Sequence, residues 1–386
     1  MLRIILLIVF MVIAIVAFTI GLKAMLETEE GWAIVESSSN EVNCSADFVF
    51  SYCYGAGDMS ASQEKKQLSN LYSQAVTDAY RIFNTEVEQI NASANRELTV
   101  DPALYQALSL LQQYGNRSVY LGPVYREYFR VFNSPTEVEA ADLDPRQDAE
   151  QAAYIRQLAA FANDPDMVEL QLLGDNRVIL TVAEPYLSFA AEYEITDYLD
   201  FNWMRNAFIA DYLAETVSAA GFTCGYLSSF DGFTRNLDNR GESFSLNLFD
   251  RLDNSIYLAG AMHYNQPISI VFLRNYPMSQ KDIYGYYAFS DGRVVTTMAD
   301  PADGLYKSAT DNLVSYAYGM SCAEVLLRQC PVYIADTLDE AALQQLQQQG
   351  VYSIWFENEK LYCNDPQLQI TLNRESEVVY TRTPIN

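Results

Sequence analysis

The sequence has little positive charge and almost no histidine. Its 386 residues include 24 lysines and arginines against 50 aspartates and glutamates, which gives a formal net charge of −26. Nucleic-acid binding is therefore not expected, because a phosphate-binding surface needs clustered lysines and arginines. The single histidine, His263, excludes His-cluster metal sites. No catalytic motif surrounds His263, so we predict a surface or packing role for it.

The six cysteines lack the CxxC spacing that is typical of metal-thiolate sites. They are Cys44, Cys53, Cys224, Cys322, Cys330 and Cys363. Six cysteines permit up to three disulfides in an oxidising compartment. Fifteen pairings are possible, and the sequence does not choose among them.

Disordered or low-complexity composition is also absent. Half of the residues are hydrophobic, and 28 tyrosines and 19 phenylalanines supply material for a large core. No Gly/Ser-rich linker interrupts residues 47–365. Predicted strands and helices occur in blocks rather than in strict alternation, which favours one large α+β domain.

The N-terminus carries one long uncharged run, residues 4–22. As a helix it would extend roughly 28 Å, close to the hydrocarbon thickness of a bilayer. A buried core helix is the alternative, but such helices rarely lack a polar face. We predict an uncleaved signal anchor at 1–26, a tether at 27–46, the domain at 47–365 and a C-terminal extension at 366–386. The charges flanking the run place the domain on the extracytoplasmic side of the cell membrane.

Hydrophobic periodicity and turn residues predict the secondary structure. Asp101-Pro102 is typical of a helix start, and Gly115 of a helix end. Gly174-Asp175-Asn176 predicts the turn of a hairpin. Helices are expected over 63–91, 102–115, 146–163, 202–220, 320–329 and 337–349. Strands are expected over 168–182, at intervals through 222–298, and in a hairpin at 351–363.

The segment 200–231 resembles a known signature. Residues 200–211 read DFNWMRNAFIAD and are followed by a helix pattern, Gly221 and a strand that ends near Asp231. This is similar to the signature region of the FAD:protein FMN transferases, the ApbE family. In that family an aspartate, paired glycines and a lysine precede a second aspartate, and here Asp200 and Asp211 match the two acids.

A second segment, 279–304, resembles the family in the correct order. It retains Ser279, Tyr286, Tyr287, Asp291, Gly292, Asp300, Pro301 and Gly304. Weaker similarities at 83–91, 121–125 and 319–356 are collinear with it, so the resemblance covers most of 47–363. It implies an ApbE-like α+β fold, FAD and Mg²⁺ as cofactors, and transfer of FMN to a hydroxyl group of an extracytoplasmic protein partner. It also implies flavin-binding roles for Asp200, Asp211, Asp231, Ser279 and Asp300.

The chain departs from the family where the family's chemistry resides. The family's flavin-binding glycines and lysine correspond to Asn202, Trp203 and Asn206, and a histidine corresponds to Thr297. The two family positions that help to hold Mg²⁺ are Cys322 and Leu326, neither of which supplies an oxygen ligand. No metal ligand and no catalytic residue is therefore assigned.

Three interpretations follow from this pattern. The first is a flavin-transferase-like protein with impaired or lost transfer activity, and the second is a non-catalytic binding or scaffold domain that has kept the fold. The third is an unrelated β-rich extracellular domain. An open cleft bordered by carboxylates such as Asp231 or Asp303 would favour flavin chemistry, whereas a cleft filled by Trp203 would oppose it.

Overall fold

A nine-stranded sheet runs through the computed structural model, which describes residues 30–57, 59–253, 255–279 and 283–384. The predicted anchor at 1–26 lies outside these residues. Within the described ranges, no helix has the length and apolarity needed to cross a membrane.

The secondary-structure elements are numbered in chain order. The strands are β1 (Gly31–Ile34), β2 (Phe48–Tyr54), β3 (Glu97–Thr99), β4 (Val168–Gly174), β5 (Arg177–Val182), β6 (Gly225–Ser229), β7 (Phe233–Asn236), β8 (Phe244–Leu252), β9 (Ser255–Tyr264), β10 (Ile268–Arg274), β11 (Tyr286–Ala288), β12 (Val294–Thr296), β13 (Asn312–Ala317), β14 (Tyr352–Glu357), β15 (Lys360–Cys363), β16 (Gln369–Leu372) and β17 (Thr381–Pro384). The α-helices are α1 (Ala61–Tyr80), α2 (Glu86–Ala92), α3 (Pro102–Gln113), α4 (Gly122–Phe132), α5 (Glu137–Leu143), α6 (Ala149–Asn163), α7 (Glu184–Glu192), α8 (Arg205–Ala219), α9 (Cys322–Tyr333) and α10 (Glu340–Gln348).

The large sheet has the strand order β1-β2-β6-β7-β10-β13-β14-β15-β17. Neighbouring strands are antiparallel throughout, except that β17 pairs with β15 in parallel. Three smaller sheets have the orders β16-β9-β8, β3-β5-β4 and β11-β12. Helices and strands are thus arranged as the α+β class predicts.

Both faces of the large sheet are covered. On one face α8 packs against β6 and β7, and α9 packs against β10 and β13. Leu313 and Ala317 of β13 belong to the hydrophobic core on that face. On the opposite face Val314 and Tyr316 pack with Met262 in a second core beneath the β16-β9-β8 sheet. All six residues of β13 are therefore buried, as expected for a strand enclosed on both faces.

Local signals in the sequence are confirmed where a single residue type dictates the backbone. The Asp101 side chain accepts a hydrogen bond from the Ala103 amide and Pro102 opens α3, while Gly115 adopts a positive φ of 61° beyond its end. Asp175 and Asn176 form the β4–β5 turn with φ values of 53° and 60°.

The chain adds strands in both segments that flank the predicted domain. β1 lies within the segment expected to be a tether and pairs with β2, with Gly31 opposite Tyr54. β16 and β17 lie within the expected extension and join β9 and β15. These strands are four residues long, and their positions depend on pairing partners that are distant in the sequence.

Candidate functional site

A cavity of about 450 Å³ opens between the start of α8, the β6–β7 turn and the end of β10. The short 3-10 turn Asn202–Met204 leads into α8 on one side. Tyr286 of β11 and Thr296 of β12 lie on the other. The lining residues are Asp47, Phe129, Asp200, Asn202, Trp203, Arg205, Asn206, Phe230, Asp231, Phe233, Leu273, Arg274, Gly285, Tyr286, Thr296, Thr297 and Met298.

Asp200 holds the loop that enters α8. Its Oδ1 accepts hydrogen bonds from the backbone amide of Asn202 and from Nη2 of Arg205, both at 2.8 Å. The Asp200 amide in turn donates to the Val119 carbonyl. Arg205 therefore borders the cavity as the ion-pair partner of Asp200.

The same loop packs closely on the start of α4. A Cβ atom at Gly122 would lie 1.9 Å from the backbone oxygen of Asp197, so a larger residue would push the 197–200 loop away. Position 122 therefore requires glycine, because the backbone of α4 contacts the loop that forms one wall of the site.

Asp231 lies in the β6–β7 turn on the opposite wall. Its Oδ2 accepts a hydrogen bond of 2.9 Å from Nδ2 of Asn206, while its Oδ1 has no hydrogen-bond partner in the described part of the chain. Burial raises the pKa of Asp231 to about 6, although Ser229, Asn206 and Arg274 oppose the rise.

Arg274, at the end of β10, holds this turn by hydrogen bonds to its backbone. Its Nη1 and Nη2 donate to the carbonyls of Asp231 and Phe230, at 3.2 and 2.9 Å. The side chain is only 2% exposed, which is unusual for an arginine. The turn approaches β10 so closely that a Cβ at Gly232 would lie 2.3 Å from the Phe272 oxygen.

Trp203 forms part of the cavity wall and does not fill the cavity. Its side chain packs against the main core, and the open volume lies beside it. Phe230 and Tyr286 add two further aromatic rings to the lining. The geometry thus meets the sequence-based criterion of an open cleft bordered by Asp231. Asp303 does not line this cleft, since it pairs with Lys307 at 2.9 Å.

Asp211 is placed elsewhere, beneath the N-terminus of α9. Its two oxygens accept hydrogen bonds from the amides of Cys322 and Ala323, each at 2.8 Å. Nε of Arg235 lies 3.4 Å from Oδ1. Burial raises the pKa of Asp211 to about 6, with Arg235 the largest opposing influence. Asp211 therefore caps a helix and does not line the cavity.

Asp300 and Ser279 also lie outside the cavity lining. Asp300 accepts a hydrogen bond from the Ala302 amide within its own turn, and its Oδ2 lies 2.7 Å from Nζ of Lys307. Ser279 ends the described segment 255–279. Of the five residues predicted to bind flavin, the structure brings Asp200 and Asp231 together at the cavity.

Several solved structures resemble this fold. The ApbE protein from Thermotoga maritima aligns with a TM-score of 0.58 at 9% identity, covering 88% of this chain and 96% of that chain. The flavin transferase ApbE from Vibrio cholerae gives 0.54 at 10% identity and covers 90% and 98%. The flavinyl transferase ApbE from Pseudomonas stutzeri, in its apo form, gives 0.52 at 13% identity and covers 90% and 95%. The chain has the ApbE fold. No protein-family model and no curated protein matches the sequence.

The ApbE resemblance implies a magnesium ion, but the residues at the corresponding positions do not fit one. Cys322 begins α9 fully buried, and its Sγ donates to the Thr234 carbonyl at 3.3 Å. Burial holds the pKa of this thiol well above its usual range, so it stays protonated. Leu326 is a fully buried core residue. Among the residues that the structure describes, no group of three or more His, Cys, Asp or Glu side chains could hold a metal.

Other differences from the ApbE pattern lie at the cavity itself. The four residues that the sequence resemblance aligns with family glycines, a lysine and a histidine all line it: Asn202, Trp203, Asn206 and Thr297. Sequence reasoning missed Arg274. The available sequence signal for Arg274 was an arginine at the end of the apolar run ISIVFLR, because a charged residue in a buried strand needs a structural partner.

Proposed function

We propose that this chain is a flavin-transferase-like protein that binds a flavin nucleotide in the α8/β10 cavity, with impaired or lost transfer of FMN. One observation carries the proposal. The chain has the ApbE fold with an open cavity lined by aromatic side chains, while Cys322 and Leu326, which the sequence resemblance aligns with the family's metal ligands, are buried and supply no oxygen.

The lining of the cavity suits a flat, partly polar ring system. Its volume of about 450 Å³ falls within the range of small-molecule sites. Trp203, Phe230 and Tyr286 offer faces and edges against which an isoalloxazine ring can pack. The Asn202 and Asn206 amides add hydrogen-bonding groups at the rim of the same space.

The transfer step has lost its electrostatic support. Breaking the FAD pyrophosphate develops negative charge on phosphate oxygens, which metals and positioned cations stabilise. Cys322 and Leu326 supply no oxygen ligand. The two guanidinium groups that line the cavity are engaged elsewhere, since Arg205 pairs with Asp200 and Arg274 donates to backbone carbonyls of the β6–β7 turn. Each missing group costs about 10²–10³-fold in rate, so we expect the chain to bind flavin but to transfer FMN very slowly or not at all.

We further propose that residues 4–22 anchor the domain outside the cell membrane, where a protein partner would meet it. The uncharged run and its flanking charges support this topology. Protease added to intact cells that express the chain should then digest the domain. Digestion only after the cells are broken open would overturn the extracytoplasmic placement.

Binding is tested by titrating the purified full chain with FAD, FMN and riboflavin while flavin fluorescence and thermal stability are recorded. We expect saturable quenching. Tyr286→Ala should weaken binding about tenfold through lost ring contact. Tyr284→Ala is the matched control, because this neighbouring tyrosine is 77% exposed and does not line the cavity.

Transfer is tested with FAD and a hydroxyl-bearing acceptor protein, with and without Mg²⁺. The FMN unit would bond to the acceptor hydroxyl as the pyrophosphate bond breaks, and chromatography detects the AMP that leaves. Binding without AMP release supports the proposal. Mg²⁺-dependent AMP release would show an active transferase with a rebuilt site. If no flavin binds, the flavin assignment is wrong and the second interpretation, a scaffold domain, replaces it.

A further inference from the structure

Two of the six cysteines lie opposite each other on neighbouring strands. β2 and β6 are antiparallel, with Phe48 opposite Ser229 and Tyr52 opposite Gly225. The same register, continued by one residue, places Cys53 opposite Cys224. The Cys53 amide donates to the Cys224 carbonyl at 2.9 Å, so the two backbones remain paired at this position.

We propose that Cys53 and Cys224 are an oxidation site that forms a cross-strand disulfide. Directly opposed, hydrogen-bonded residues in an antiparallel pair have Cα atoms about 5.5 Å apart. Disulfide-bonded cysteines have a Cα separation of about 5.5–6 Å. The backbone pairing is therefore compatible with this spacing, and closure requires the Cys224 side chain to rotate away from the Tyr52 side chain, with which it hydrogen-bonds.

The surroundings of the pair leave it accessible to a reagent. Both side chains are partly exposed, in contrast to the other four cysteines. Nη1 of Arg240 lies 3.7 Å from the Cys53 sulfur, and Arg240 is held there by Asp238. Burial raises the pKa of Cys224, and Arg240 is the largest influence that lowers it. Arg240 therefore opposes the effect of burial on Cys224 without cancelling it, and the case for oxidation rests on the opposition and partial exposure of the two side chains.

The remaining cysteines are not placed to compete. Cys44, Cys322, Cys330 and Cys363 are all buried. Sγ of Cys44 donates to the Val76 carbonyl, and Sγ of Cys363 donates to the Asp365 carbonyl. Cys322 and Cys330 lie on one helix eight residues apart, about 12 Å along its axis, and so cannot pair with each other.

The reaction is a thiol–disulfide exchange with a disulfide oxidant such as oxidised glutathione. One thiolate attacks the reagent and releases one reduced thiol. The second thiolate then attacks the mixed disulfide, and a second reduced thiol leaves. The two protein thiols lose two protons and two electrons, and the electrons reduce the reagent disulfide. The product ties β2 to β6, and through β2 it secures the edge strand β1, in which Trp32 pairs with Cys53.

The test incubates the reduced full chain with oxidised glutathione, followed by denaturation, thiol counting and peptide mapping. The number of free thiols should fall from six to four, and the map should contain a Cys53–Cys224 linked peptide. Cys363→Ser is the control, in which the same link should form. Cys53→Ser and Cys224→Ser should both abolish it.

Thermal unfolding provides an independent measurement. Oxidation should raise the melting temperature of the wild type and of Cys363→Ser by a few degrees, because the bond closes a long loop in the unfolded chain. It should not raise that of Cys53→Ser. Six unreacted thiols, glutathione adducts without the internal link, or a link through another cysteine would each overturn the proposal.

Discussion

Asp211 and Asp231 are two carboxyl groups whose pKa values are raised alike but whose surroundings differ. Burial raises the pKa of each to about 6. The oxygens of Asp211 are occupied by the Cys322 and Ala323 amides, with Arg235 beside them. One oxygen of Asp231 has no hydrogen-bond partner among the described residues, and the side chain lines the cavity. A raised pKa alone therefore does not distinguish an acid that lines the cavity from one that caps a helix, and the two carboxyls differ in how fully their oxygens are hydrogen-bonded.

Removing each carboxylate in turn is the most direct test of whether Asp211 and Asp231 have different structural roles. Asp211→Ala should lower the free energy of unfolding by about 3 kcal/mol, because two helix amides and the Arg235 charge lose their partner. Asp231→Ala should cost less than about 1 kcal/mol, since it removes one hydrogen bond together with a carboxylate whose ionised form burial already disfavours. Urea denaturation measures both changes. Equal losses would show that the two acids have the same structural role.

A second prediction concerns the metal position beside Asp211. Cys322→Asp should destabilise the fold by about 2 kcal/mol, because it buries a second carboxylate next to Asp211. In the double variant Cys322→Asp/Leu326→Thr, which supplies oxygen ligands at both positions, Mg²⁺ should recover part of this loss.

Thermal shift with and without Mg²⁺ measures the recovery, with Ca²⁺ as a second oxygen-preferring cation. The wild type should show no such stabilisation. A comparable effect of Mg²⁺ on the wild type would contradict our assignment of Cys322 and Leu326 as non-ligands.

A third prediction concerns a pH dependence that belongs to Asp231. Burial raises the pKa of Asp231 from its ordinary value of 3.8 to about 6, so between these pH values the folded chain binds more protons than the unfolded chain. This group therefore adds stability as the pH falls from about 7 to 4, and that contribution is lost as the pH rises. The difference in the free energy of unfolding between wild type and Asp231→Asn should change by about 1 kcal/mol between pH 7 and pH 4, because partial exposure of the side chain weakens the effect. Parallel stability curves for the two proteins would show that Asp231 does not titrate near pH 6.

The sequence predicted those parts of the fold in which short-range chemistry decides the backbone. Asp101-Pro102 and Asp175-Asn176 specify their own cap and turn, and the structure confirms both. The spacing from Asp200 to Asp231 also carried the resemblance to the ApbE fold. Helix α4 was missed although its sequence carries two signals, a proline in the first turn and apolar residues that recur at helical spacing.

The site was harder to predict because its parts meet only through long-range register. Arg274 reaches the Phe230 and Asp231 carbonyls because β10 pairs with β7 and so lies under the turn that precedes β7. Nothing near residue 274 in the sequence indicates that turn. Conversely, the aspartate pattern did not distinguish Asp211 from Asp231, because helix capping and cavity lining both select a carboxylate.

The sheet order has a practical consequence for labelling and fusion. β1 and β17 are the opposite edges of the nine-stranded sheet, eight inter-strand steps apart. At about 4.8 Å per step, the path across the sheet from β1 to β17 is roughly 38 Å, and the twist of the sheet makes the direct distance shorter. A linker that follows this path between residues near 31 and 384 would need about 12 residues. By the same distance, a fluorophore or affinity tag placed after β17 reports from the side of the molecule remote from β1.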